Sequence, residues 1–213
     1  MANRKKFGIK YISALLILTT FTAAFFGCGA KYDENEIKAA AVALIEESYK
    51  INEICFGDGL PADFSSTENG GEYVEGSLVY AYVDEMCPYH STAELKDAIS
   101  ETYSSAYSEY LCTLLFTGLS VSVGGGEDDS DKQNVAYARY MDGDEGLEAL
   151  LMDPDDIMSL ERTYDTENIT VVSQKNGRVE ISVPSYLKGE RDIDVTLTLV
   201  LENGEWRLDT PTY

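Results

Sequence analysis

Four short stretches near the end of the chain constrain its fold more than any other feature of the sequence. Each is rich in residues that favour strands, and two of the links between them contain Asn176-Gly177 and Asn203-Gly204. Asn-Gly is the preferred dipeptide of the two-residue turn that joins antiparallel strands. We therefore predict successive antiparallel strands at 169–174, 178–183, 193–201 and 205–209.

The third of these strands alternates between apolar and polar side chains. Asp194, Thr196 and Thr198 fall between apolar residues that occupy every second position, namely Ile193, Val195, Leu197, Leu199 and Leu201. Successive side chains of a strand point to opposite faces of the sheet. One face of this sheet is therefore expected to lie on a core and the other to face water.

Helical periodicity dominates the first half of the chain. Spacings of three and four predict a helix at 36–56, with one face formed by Ile37, Ala41, Leu44, Ile45, Ser48, Ile51 and Cys55. Ser91 and Glu94 form a capping box that predicts a helical region continuing to about Thr117. Helices followed by a strand meander predict an α+β fold, with N-terminal helices packed on one face of an antiparallel sheet.

The region between the helices and the meander gives weaker signals. One strand or a bent pair of strands is predicted at 73–83, where Gly76 is typical of a bulge, and further strands are predicted at 120–123 and 135–141. The stretch 124–131 is an acidic, glycine-rich loop that we expect to be mobile, and 147–160 is ambiguous.

The first 27 residues have the pattern of a secretory leader. Four cations at 4–10 precede an uncharged, mostly apolar run at 11–26, which is shorter than the roughly 20 residues of a membrane-spanning helix. The run ends in Phe25-Phe26-Gly27-Cys28, which resembles the lipobox of bacterial lipoprotein signals, although Phe25 and Phe26 stand where Leu and a small residue are usual. The resemblance implies a signal peptide at 1–27 and a lipid anchor, with palmitate, on Cys28. The alternative is cleavage after Ala24, which would release a free secreted protein.

The expected mature chain is strongly acidic. A tether at 28–35 leads into one domain at 36–213, and loss of the leader leaves 12 Lys and Arg against 38 Asp and Glu, a net charge of −26. Such a domain repels nucleic acid and anionic lipid headgroups, so neither is an expected partner of the domain. A macromolecular partner attracted at long range should be basic. The alternative is that the charge only keeps the exported domain soluble.

Three cysteines remain after Cys28. An odd number cannot form a complete set of disulfides within one chain, although a single pair such as Cys55–Cys87 is compatible with an oxidising envelope. Cys112 lies in an apolar helical run and is expected to be a small buried residue. No cysteine or histidine spacing indicates zinc, and we expect no cofactor.

The order of elements, ending in Gly204-Glu205-Trp206-Arg207-Leu208-Asp209, resembles the cystatin-like α+β folds, which include the nuclear-transport-factor-2-like domains. The resemblance covers 36–213 and implies that the sheet is curved. A narrower likeness is to the Gram-positive DL-endopeptidase-inhibitor family, small exported proteins that restrain cell-wall hydrolases. It is carried by Val79-Tyr80-Ala81-Tyr82-Val83, by Ser91-Thr92-Ala93-Glu94-Leu95-Lys96 and by Leu115-Phe116-Thr117. It implies a basic cell-wall hydrolase as partner.

A set of tyrosines is the main candidate binding site. Tyr80 and Tyr82 lie on a predicted strand, and Tyr103, Tyr107 and Tyr110 recur at helical spacing. They either fill the interface between helices and sheet or line a binding surface. If the sheet is concave on its polar face, Thr196, Thr198 and Arg207 would line a cavity instead of pairing across strands.

We find no catalytic motif. His90 is the only histidine, and no positioned carboxylate accompanies it in the sequence. An EF-hand loop starting at Asp142 fails, because Leu147 occupies the position that requires glycine and Asp153 stands in place of the final Glu. We therefore expect a non-catalytic, extracytoplasmic, membrane-anchored lipoprotein that binds a protein or small ligand. The alternatives are an isomerase or dehydratase on the same fold, which a closed polar pocket would favour, and a passive structural module.

Overall fold

The computed structural model describes residues 31–68, 70–74, 78–123, 133–158 and 161–213. The predicted leader, Cys28 and the acidic loop at 124–131 lie outside these residues. Within them the chain has an α+β architecture, with three α-helices and antiparallel sheets, the largest of which curls.

The first helix, α1, spans Glu34–Phe56 and begins two residues before its predicted start. Asp33 caps it, because its carboxylate accepts hydrogen bonds from the backbone amides of Asn35 and Glu36. All seven residues assigned to the inner face by their spacing are buried. The predicted helix and its orientation are confirmed.

The second helical region divides into α2, at Thr92–Thr102, and α3, at Ser105–Phe116. Ser91 caps α2 by accepting from the Glu94 amide, as the capping box predicts. The reciprocal bond differs in detail, because the Glu94 carboxylate accepts from the His90 amide rather than from that of Ser91. Tyr103 and Ser104 separate the two helices, and Ser104 caps the second one.

Two small sheets follow. In the first, β1 (Tyr80–Tyr82) and β4 (Tyr140–Asp142) both pair with β5 (Leu147–Leu150), which lies between them. The second is a hairpin of β2 (Leu119–Val123) and β3 (Gln133–Tyr137). Of the strand predicted at 73–83, Tyr80–Tyr82 is confirmed, Tyr73 and Val74 lie outside any strand, and 75–77 lie outside the described residues. The strand predicted at 135–141 is two strands, separated by Ala138 and Arg139.

The main sheet contains the predicted meander. Its strands are β6 (Arg162–Tyr164), β7 (Thr170–Lys175), β8 (Arg178–Leu187), β9 (Glu190–Glu202) and β10 (Glu205–Leu208). The order is β10-β9-β8-β6, and β7 also pairs with β8. Asn176, Gly177, Asn203 and Gly204 all have positive φ, as the predicted two-residue turns require.

The inner face of this sheet meets the helices in one core. Val179, Ile181, Val183, Leu197 and Leu199 are fully buried and belong to the same apolar cluster as the buried residues of α1, α2 and α3. The predicted alternation of β9 holds in its middle but fails at two positions. Ile193 is exposed at 62 % and lies at an irregularity in the pairing of β9 with β8, and Thr198 is buried beside the last residues of the chain. There the Thr198 amide donates to the Thr210 hydroxyl, and its carbonyl accepts from the Asp209 amide.

No helix among the described residues is long and apolar enough to cross a membrane.

Candidate functional site

One concave feature is a cleft of about 350 Å³ on the core face of the main sheet. It lies between the C-terminal half of α1, the edge strand β6, the end of β8 and the last residues of the chain. Its lining residues are Tyr49, Asn52, Glu53, Met158, Glu161, Arg162, Thr163, Leu187, Thr212 and Tyr213. The volume is within the usual range for a ligand site.

One wall of the cleft is fixed by a buried polar network around Thr212. The Thr212 hydroxyl donates to Ser48 Oγ at 2.7 Å and accepts from Asn52 Nδ2 at 2.8 Å. The Tyr103 hydroxyl donates to Asn52 Oδ1 at 2.9 Å. Because these groups satisfy one another inside the core, the chain end is held against α1 and forms a rigid wall.

Another part of the cleft lining is fixed by Tyr49 and Arg162. The Tyr49 hydroxyl accepts from the Tyr164 amide at 3.0 Å, and the two rings stack. Arg162 Nη1 donates to Ser185 Oγ at 2.6 Å and to Asp192 Oδ2 at 2.8 Å. Burial raises the pKa of Tyr49 and raises that of Tyr164 to about 12, so both hydroxyls are neutral at pH 7.

The rim of the cleft is apolar. Met158, Leu187 and Tyr213 are exposed at 46 %, 42 % and 36 %, so three of the large hydrophobic side chains that reach solvent surround one opening. The Tyr213 ring also packs on Phe56 at 4.3 Å, and its hydroxyl accepts from that of Tyr107 at 3.4 Å. Single exposed hydrophobic residues are common, but several around one hollow indicate a contact surface.

The charge of the cleft is set by three ionisable side chains. Arg162 is neutralised by Asp192 at 2.8 Å, and Glu161 by Lys188 at 2.9 Å. Glu53 accepts from the Asp58 amide at 2.9 Å, and no ion pair within the described residues neutralises it. The net charge of the site is therefore negative, which favours a cationic group.

The candidate tyrosines of the helical region do not line the cleft. Tyr103 is fully buried in the core, where burial raises its pKa, and Tyr107 is half-buried beside it with ring centroids 4.9 Å apart. Tyr110 is exposed at 52 %, and its ring lies 5.8 Å from that of Tyr107. The rings of Tyr103, Tyr107 and Tyr110 thus contact one another in a row. The hydroxyl of Tyr107 connects this row to Tyr213 at the cleft.

Tyr80 and Tyr82 lie elsewhere, on the outer face of the three-stranded sheet. The Tyr80 hydroxyl donates to the Ala138 carbonyl at 2.7 Å. Tyr82 is exposed at 40 %, and its register partner on β5 is Glu148, which in turn pairs with Met141 of β4. The five candidate tyrosines thus fall into two separate groups rather than one, and Tyr103 is in the core rather than on a surface.

Arg207 is held by groups of the protein itself. Its Nε donates to the Ser100 carbonyl at 2.9 Å, and its Nη2 pairs with the Glu205 carboxylate at 2.5 Å. Thr196 is exposed and Thr198 is covered by the chain end, so the polar face of β9 does not form the cavity considered for Arg207. The cleft is on the opposite face of the sheet.

His90 and Asp142 do not line the cleft either. The His90 side chain is exposed just before α2, and Asp142 accepts from the amide and hydroxyl of Thr92, bonds that lower its pKa. Among the described residues, no group of three or more His, Cys, Asp or Glu is arranged to hold a metal ion.

The described cysteines are free thiols. Cys55 and Cys87 are buried and Cys112 is half-buried, and no disulfide joins them. Burial raises the pKa of Cys55 to about 12.

Sequence reasoning missed the residues that build the cleft. Tyr49, Glu53, Met158, Arg162, Leu187 and Thr212 come from four separate parts of the chain, and no local pattern connects them. The one available signal was Lys188-Gly189, a turn dipeptide whose positive φ angles close the β8–β9 hairpin beside the cleft.

A scan against protein-family models finds no match to this chain, and no curated protein matches it significantly.

Proposed function

We propose that this chain is a non-catalytic, extracytoplasmic lipoprotein, anchored through Cys28, whose domain binds a basic protein segment in the cleft between α1, β6 and the chain end. The observation that carries the proposal is the combination of an exposed apolar rim, formed by Met158, Leu187 and Tyr213, with the unneutralised carboxylate of Glu53. An apolar side chain next to Lys or Arg would satisfy both features at once.

The charge of the whole domain supports the same class of partner. With 12 cations and 38 carboxylates after the leader, the domain attracts basic proteins over several ångströms and accelerates their association. Because salt screens such attraction, binding should weaken as ionic strength rises.

The location and the partner class come from the sequence. The lipobox-like Phe25-Phe26-Gly27-Cys28 would hold the domain at the outer face of the cell membrane. By its likeness to the DL-endopeptidase inhibitors, the domain would modulate a basic cell-wall hydrolase.

The test is affinity capture from envelope extracts with residues 31–213 as bait, comparing wild type with Leu187→Asp and Val172→Asp. Both positions are exposed hydrophobic residues on the main sheet, but only Leu187 lines the cleft. We expect a basic wall hydrolase bound by wild type and by Val172→Asp, lost with Leu187→Asp, and released by high salt. A hydrolase retained equally by all three proteins would contradict the cleft as its binding site.

The anchor is tested by metabolic labelling with palmitate. Wild type should incorporate the label and Cys28→Ala should not, since Cys28 provides the thiol on which the lipid would be attached. Equal labelling of the two chains would overturn the lipoprotein assignment.

A further inference from the structure

The first described residues of the chain are docked on the domain. The Tyr32 amide donates to Gln174 Oε1 on β7 at 2.9 Å, and the Tyr32 ring packs edge-on against Trp206 of β10 with centroids 5.0 Å apart. The Tyr32 hydroxyl also lies 3.8 Å from the position of a Cβ on Gly177. The tether therefore meets the domain at one defined place.

That place is one end of the main sheet. Two hairpin turns lie there, Asn176-Gly177 and Asn203-Gly204, and the Leu201 amide donates to the Gly177 carbonyl at 2.7 Å. We call this region, formed by Tyr32 and the two turns, the tether end of the domain.

The cleft lies at the opposite end of the domain, as the lengths of α1 and β8 both indicate. From Glu34 to Glu53, α1 rises about 29 Å at 1.5 Å per residue. From Arg178 beside the tether end to Leu187 at the cleft, β8 extends about 30 Å at 3.3 Å per residue. The two elements run side by side, because the Tyr49 hydroxyl of α1 accepts from the Tyr164 amide, and Tyr164 is the register partner of Ser185 on β8.

The chain between the anchor and the docked residue is short. Four residue steps separate Cys28 from Tyr32, and a chain of that length spans at most about 14 Å even when fully extended. A lipid on Cys28 would therefore keep Tyr32 close to the headgroups.

From this geometry we propose that the tether end rests against the membrane and that the cleft opens about 30 Å away from it, towards the cell wall. The inference rests on the proposed acylation of Cys28. It means that the partner reaches the cleft from the wall side and does not have to approach the lipid surface.

The chemistry of the two ends fits this orientation. The turns of the tether end consist of uncharged Asn and Gly. Lys31 and Lys175 lie beside the first turn and Glu202 and Glu205 flank the second, so charges of both signs are present at this end. The rest of the mature chain is strongly acidic, so an anionic membrane would repel the body of the domain and favour an upright position.

Two native lysines provide the test, because Lys175 precedes the turn at the tether end and Lys188 lies in the turn at the cleft end, and both are exposed. Full-length acylated protein is reconstituted into phosphatidylcholine vesicles and treated with a water-soluble acetylating ester, and modification of each lysine is timed by mass spectrometry. The reference is the unanchored variant Cys28→Ala. The acetylation rate of each lysine is divided by its rate in this variant, which removes the difference in intrinsic reactivity that the Lys188–Glu161 ion pair causes. We expect anchoring to slow the acetylation of Lys175 severalfold and to leave the acetylation rate of Lys188 unchanged.

A variant with about twenty Gly and Ser residues inserted between Ala30 and Lys31 should restore the acetylation rate of Lys175, since a long flexible linker no longer holds the domain close to the lipid surface. Equal slowing of both lysines, or slowing of Lys188 alone, in protein that sediments with the vesicles would overturn the orientation while leaving the anchor intact. Protein that does not sediment with the vesicles would overturn the anchor and the orientation with it.

Discussion

At the scale of single residues, Thr212 joins the chain end to α1. Its hydroxyl contacts Ser48, Asn52 and Tyr103, and its residue is exposed by only 1 %. The hydroxyl satisfies polar groups of α1 inside the core and holds Tyr213 at the rim of the cleft. The site and the stability of the domain therefore depend on the same residue.

We expect Thr212→Val to destabilise the domain by about 2 kcal/mol or more, because the nearly isosteric change leaves buried polar partners unsatisfied. Urea unfolding measures the difference. The control is Thr196→Val on the exposed face of β9, which should change the free energy of unfolding by no more than about 0.5 kcal/mol. Equal effects at the two positions would contradict the role of the network.

Cys55 should be the least reactive of the thiols at neutral pH. Burial raises its pKa from 9.0 to about 12 in the folded state, so almost no thiolate is present near pH 8. Because the folded-state pKa is the higher one, the protonated thiol contributes stability below pH 9 that is lost as the pH rises towards 12. Iodoacetamide in native buffer should modify half-buried Cys112 before Cys55, and the opposite order would contradict this assignment.

At the scale of elements, the C-terminus of α1 is secured by two consecutive residues from β4 and the segment before it. Arg139 Nη1 and Nη2 donate to the carbonyls of Cys55 and Gly57 at 3.1 and 2.6 Å. The Tyr140 hydroxyl donates to the Ile54 carbonyl and accepts from the Leu60 amide. These bonds replace the ones that a helix end lacks and place a cation where the helix dipole is negative.

Arg139→Met should therefore destabilise the domain by about 2–3 kcal/mol, because it leaves buried carbonyls without donors. The control is Arg191→Met on the exposed β8–β9 hairpin, which should cost less than about 1 kcal/mol. Thermal or urea unfolding distinguishes them. If the two variants were equally stable, the assignment of Arg139 to the helix end would be wrong.

The elements that could be predicted from sequence are those whose signals are local. The periodicity of α1, the capping box at Ser91 and the Asn-Gly turns each act over a few residues, and the structure confirms them. The prediction of a strand at 73–83 was wrong at Tyr73 and Val74, and β6 was not predicted, because its three residues carry no alternating pattern.

The cleft could not be predicted for a different reason. The bond between Thr212 and Ser48 joins residues 164 positions apart, and Arg162 takes its partner from β9. Contacts of this kind depend on how the helices lie on the sheet, which no spacing in the sequence encodes. The candidate tyrosines were predicted from helical spacing and from a shared strand, but they pack in the core, on α3 or on another sheet.

At the scale of the whole molecule, the domain is arranged between two opposite ends. Tyr32 and two hairpin turns form the end nearest the expected lipid anchor, while α1 and β8 lead to the cleft at the other end. The proposed function needs this separation, because a partner bound in the cleft must be accessible from the cell wall.

The methionines allow the most direct measurement of the central claim, that a basic partner binds in the cleft. Residues 31–213 contain four methionines, of which Met158 is at the cleft, Met141 lies near Tyr82 on the three-stranded sheet, and Met86 is 90 % exposed. The domain, labelled with ¹³C at the methionine methyl groups, is titrated with the captured basic hydrolase at low salt and followed by NMR. We predict that the Met158 signal shifts or broadens while those of Met86 and Met141 remain unchanged. A response at Met141 with Met158 unaffected would contradict the claim and would assign binding to the surface that bears Tyr82.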